Sequence, residues 1–231
     1  MKRLLLAGVG LLSLAATSAL AADLPARYPT KAPTMVRAYN WSGWYLGVNG
    51  GYGWGDSNWT DTGTGVSTGD FKVDGGLLGG TLGVNWQRGA WVFGLEGDGA
   101  WSGIKGSTAV TCAGANCETR NNWLATFRGR FGYAFDRFLP YVTGGLAAGD
   151  IEASRPGFGS ESDTRAGWTV GAGVEWAIAG PWTAKLEYLY ADLGTMSCST
   201  AVCGGAGPVD VKLDANIVRA GINYRFGPTA Y

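Results

Sequence analysis

From residue 44 onward, apolar and aromatic side chains alternate with Gly, Asn, Thr and charged residues, and this pattern recurs in eight segments. A period of two belongs to a β-strand, whose successive side chains point to opposite faces. The bulky register reads Trp44, Leu46, Val48, Tyr52 and Trp54, then Leu78, Leu82, Val84 and Trp86. It continues as Trp91, Phe93, Leu95 and Trp101, then Trp123, Phe127, Phe131, Tyr133 and Phe135. The fifth segment, residues 139–149, alternates poorly, and Val142, Leu146 and Ala148 are assigned to the same register. The last three segments give Trp168, Val170, Val174 and Trp176; Trp182, Leu186, Tyr188 and Tyr190; and Val218, Ala220, Ile222, Tyr224 and Phe226.

The spacing decides the topology. Consecutive segments start alternately about 30 and about 15 residues apart. Short turns such as Gln87-Arg88-Gly89 and Ala179-Gly180-Pro181 therefore alternate with long Gly/Ser/Thr/Asn-rich loops. A 15-residue repeat leaves no room for a helical crossover, so a parallel sheet is excluded. The expected fold is all-β: an eight-stranded antiparallel up-and-down transmembrane barrel with short periplasmic turns and long outer loops.

A soluble barrel would turn its apolar register inward. Here that register is too bulky for the narrow interior of eight strands, whereas the opposite one offers glycines, small polar residues and a few charges. Trp44, Trp54, Trp86, Trp91, Trp101, Trp123, Trp168, Trp176, Trp182 and Phe226 mark the strand ends, as aromatic girdles do at two membrane interfaces. Outer-membrane lipid is thus the expected surrounding.

The N-terminus carries an export signal. Lys2 and Arg3 precede an apolar run over residues 4–16, and Ala19-Leu20-Ala21 supplies the small residues of a cleavage site. The expected organisation is a signal peptide over 1–21, a Pro-containing periplasmic linker over 22–40 and a barrel domain over 41–231. Closely spaced cysteines in an exported chain, Cys112 with Cys117 and Cys198 with Cys203, imply disulfides in the outer loops. A four-cysteine zinc site is the alternative, but its usual knuckle has only two residues between cysteines. The formal net charge is zero, and no nucleic-acid partner is expected.

The inward register collects Glu96, Asp98, Glu175 and Glu187 against Arg128, Arg130, Lys185 and Arg219. Glu96 and Asp98 are expected to face Arg128 and Arg130 on the neighbouring strand. Such a balanced set forms either an ion-pair plug or the lining of a narrow pore. Balance favours the plug, because a selective pore would show an excess of one sign. The chain has no histidine, which removes Ser–His–Asp, Cys–His and histidine-metal chemistry. Glu96 and Asp98 could serve a glycosidase, but arginine neighbours make them charge partners rather than proton donors. No cofactor and no enzymatic activity are expected.

Several stretches carry a resemblance. Trp41-Ser42-Gly43-Trp44-Tyr45-Leu46-Gly47, Gly94-Leu95-Glu96-Gly97-Asp98 and residues 124–133 resemble the small porin-like outer-membrane immunogenic proteins of alphaproteobacteria. So do residues 140–145, 167–176 and 218–224, and the expected mature start Ala22-Asp23-Leu24-Pro25. The resemblance implies an outer-membrane barrel related to surface opacity proteins, with roles in envelope integrity and surface antigenicity. Some relatives are linked to haem, for which this chain offers no histidine. The resemblance also implies recognition by barrel-assembly machinery through a terminal aromatic, here Phe226 or Tyr231. A host or surface ligand would be met through the outer loops.

Overall fold

A computed structural model describes residues 39–109, 116–204 and 206–227. All of these belong to one compact unit, Arg37–Tyr231. The expected signal peptide, the linker up to residue 38, Cys112 and Tyr231 lie outside the described residues.

Eight antiparallel strands close into a barrel in sequence order. They are β1 (Gly43–Asp61), β2 (Phe71–Arg88), β3 (Trp91–Thr108), β4 (Cys117–Tyr133), β5 (Phe138–Arg155), β6 (Gly159–Ala179), β7 (Trp182–Cys198) and β8 (Val209–Phe226). A single helical turn, α1 (Thr200–Cys203), lies between β7 and β8. The pairing of β1 with β8 runs from Trp44 opposite Phe226 to Asp61 opposite Val209. Closure leaves no edge strand, the condition for burying backbone N–H and C=O groups in lipid.

At the short-turn end the chain reverses over residues 89–90, 134–137 and 180–181, with Gly89 and Gly180 at positive φ. At the other end, strands take up much of what the sequence suggested as loop, and β5 and β6 meet across a turn of residues 156–158. About ten residues per strand suffice to cross a bilayer. These strands have 17 to 21, so their outer halves rise beyond it.

Register shifts fall between Trp101 and Ile104, Arg120 and Leu124, and Asp192 and Thr195. A bulge leaves backbone donors unpaired. At the β4 bulge Asp150 supplies the acceptor, taking the Asn122 and Trp123 amides at 2.7 and 3.0 Å.

The aromatic register faces outward. Trp101 is 77% exposed and Val48 66%, and every tryptophan placed in the expected girdles lies on the outer wall. Val142 and Leu146 of the irregular fifth segment do so too. Two tryptophans do not: Trp41 and Trp59 are buried inside. The interior differs from the polar register expected. In the outer half it is an apolar core of Val73, Leu77, Ile104, Ile151, Leu189, Met196, Val211, Leu213 and Ile217, with Trp59 among them. The reason is solvent: beyond the bilayer the wall faces water, and apolar side chains gain by turning inward.

Candidate functional site

Three layers fill the barrel. The middle one holds the charged residues of the inward register, all buried. The β3–β4 register sets Glu96 opposite Arg128. Arg128 Nη2 lies 2.5 Å from Glu96 Oε1 and 2.8 Å from Asp98 Oδ2, and Nη1 lies 3.0 Å from Glu187 Oε1. Arg219 reaches Asp98 and Glu187, each at 2.7 Å. Lys185 donates across the lumen to Glu96 at 3.1 Å.

Arg130 keeps Glu96, one of its expected partners, as its longer ion pair, and takes Glu175 rather than Asp98 as the other. Its Nη2 donates to Glu175 at 2.7 Å, while Glu96 stands 3.7 Å away. Asp98 takes Arg219 and Arg128 instead. The difference is one of geometry: an eight-stranded lumen is narrow enough for long side chains to span it, so partners are set by height as well as by strand neighbourhood.

Neutral groups complete the layer. Tyr45 donates to Glu96 at 2.8 Å and accepts from Arg130 at 3.1 Å, and Tyr141 donates to Glu187 at 3.0 Å. Thr126 donates to Asp98, and Thr183 and Asn223 donate to Glu175. Gly83 makes room for this: a Cβ there would come within 2.2 Å of Tyr45 Cζ. Each lumen carboxylate thus has at least one cationic partner and one neutral donor, the condition for holding charge in a low-dielectric interior.

Two buried cations, Arg155 and Arg225, were missed in the sequence. Arg225 continues the inward register of β8 two residues past Asn223 and lies over the Trp41 and Tyr45 rings at 5.3 and 5.7 Å. It belongs to the layer at the short-turn end, where Tyr39, Trp41, Val92, Leu139 and Ala177 pack together.

At the opposite rim, two loops are joined. Asp61 accepts from Gly63, Ala206 and Gly207 amides at 2.8, 2.9 and 3.1 Å, and Thr62 donates to the Pro208 carbonyl. Chiefly the Ala206 amide, then that of Gly63, holds the Asp61 carboxyl down at about 2. Cys198 and Cys203 form a disulfide, and Glu161 of β6 accepts from the Ser199 amide at 2.8 Å. Cys117 is also disulfide-bonded.

Residues 7–226 match the outer membrane protein beta-barrel domain family. The chain belongs to it. It is 37% identical to a 31 kDa outer-membrane immunogenic protein of Brucella melitensis, over 98% of this chain and 100% of the relative. Identity to a 25 kDa outer-membrane immunogenic protein of Brucella abortus is 33%, over 98% and 99%. Among solved structures, the outer membrane protease OmpT of Escherichia coli superposes with a TM-score of 0.50 at 8% identity, covering 82% of this chain and 98% of that one. That likeness concerns the fold alone. The chain is an outer-membrane protein, and its short turns take the periplasmic side.

Proposed function

We propose that this barrel is a structural and surface-presenting component of the outer membrane, closed to solutes, whose contacts with the surroundings are made by its outer rim. The observation that carries this reading is the filled lumen. Ion pairs occupy the middle, apolar side chains the outer half and Trp41 the periplasmic end. A conducting path needs hydrated space along its length. The tryptophans of the outer wall serve as the two interfacial girdles, and Phe226, paired with Trp44 at the barrel seam, is the candidate assembly signal. The relatives named immunogenic support surface display as the role of the loops.

Catalysis is not part of this reading. Glu96, Asp98, Glu175 and Glu187 are all engaged by cations, so none stands ready as a proton donor. The test is conductance of the purified chain in planar bilayers. Silence is expected, and stable single-channel steps would overturn the closed-lumen reading.

A further inference from the structure

We infer that residues 39–42 form a latch across the periplasmic mouth, one that docks only on the closed barrel and can open while the barrel stays folded. The inference goes beyond the closed-lumen reading and rests on separate contacts.

The strap is held from three directions. Asp136, in the turn between β4 and β5, accepts the Tyr39 amide on Oδ1 and the Trp41 indole N–H on its carbonyl, both at 2.9 Å. Gln87, at the end of β2, accepts the Trp41 amide at 2.7 Å, while its own amide donates to Ser42 Oγ at 3.0 Å. Arg225, on β8, donates to the Trp41 carbonyl. No single hairpin carries these partners. β2 and β8 flank β1 on either side, so Gln87 and Arg225 converge on the strap only when β8 has paired with β1.

Two further observations set this contact apart from ordinary packing. Asp136 has a φ of 52°, the one positive value at a non-glycine among the described residues. A left-handed backbone disfavours a β-carbon, and such conformations persist where the surroundings impose them. Here the conformation accompanies two acceptors from one residue turned onto the strap. Arg225 is the second. It is buried, its Nε and Nη1 have no hydrogen-bond partner among the described residues, and its Nη2 donates to the strap carbonyl. A buried guanidinium with one bond gains by reaching water, so undocking the strap costs less than breaching the ion-pair layer above it. The latch is the weakest closure in the lumen.

The experiment places a cysteine behind the strap, Val92→Cys, and a control in the outer core, Ile217→Cys, with the native disulfides left oxidised. Purified chains in lipid nanodiscs are reacted with a maleimide. Asp136→Gly removes one strap bond while suiting the positive φ, and Gln87→Met removes another, the acceptor of the Trp41 amide. In both backgrounds labelling at position 92 should rise about tenfold, the effect of losing one hydrogen bond. The control should stay silent, and unboiled migration on gels should remain that of the folded barrel. Amide exchange at Tyr39 and Trp41 should accelerate alongside, and needs no cysteine. Unchanged labelling and exchange in both variants would overturn the latch. So would equal acceleration at positions 92 and 217, which would mean general loosening.

Discussion

Arg128 is the hub of the lumen, and Glu96, directly opposite it on β3, is its shortest contact at 2.5 Å. Arg128→Ala would leave Glu96, Asp98 and Glu187 short of a partner at once, so a loss of about 3–5 kcal/mol is expected. Adding Glu96→Gln should recover part of that loss, since Asp98 and Glu187 would still face the gap. Urea unfolding followed by heat-modifiable gel migration measures the cycle. Strictly additive losses would show that the pair is not coupled.

Val48 lies on the outer wall between Trp44 and Trp54. Val48→Arg should cost about 2–4 kcal/mol, the range for a cation at mid-bilayer, whereas Thr60→Arg, near the rim, should cost about 0–1 kcal/mol. Reversible folding into liposomes is the measurement. Equal costs at both positions would mean that the girdles do not bracket the membrane where proposed.

The Asp61 clamp should respond to acid late. Its pKa in the folded chain, about 2, lies below the ordinary 3.8, so its contribution is fully present above about pH 4 and is lost as pH falls through about 2. Protection of the Ala206 and Gly207 amides from hydrogen exchange should therefore persist at pH 4. Asp61→Ala should abolish it at every pH. Protection already lost near pH 4 would remove the carboxylate from the clamp.

Reduction of Cys198–Cys203 should loosen the rim without opening the barrel. The two cysteines are five residues apart, and a loop that short contributes about 2 kcal/mol or less. Faster proteolysis within residues 199–208, with unchanged gel migration before boiling, is expected. Reduction that unfolds the barrel would show that the disulfide holds more than its own loop.

The sequence made the outer wall legible because lipid allows one class of side chain there, and period two then assigns each residue. The interior was less legible, since it answers to two environments. Glu96 and Arg128 could be paired from strand adjacency, whereas Arg130 with Glu175 and Lys185 with Glu96 depend on reach across the lumen, which no local pattern carries. Arg225 was within reach of the period, two positions beyond Asn223. Trp59 was not, because an apolar residue on the inward register becomes intelligible only once β1 is known to outrun the bilayer. The strap has no period at all, and Trp41 takes its place from distant Asp136, Gln87 and Arg225.

Along its length the wall exchanges its two sides: oily outside and salted inside within the membrane, the reverse above it. The upper part of the molecule is thereby a small water-standing barrel resting on a lipid-standing one. Its stiffness comes from Ile104, Met196 and Leu213 rather than from whatever crowns the rim. Exposed tips such as Val66 and Phe158 can then be altered at little cost to the pedestal beneath them.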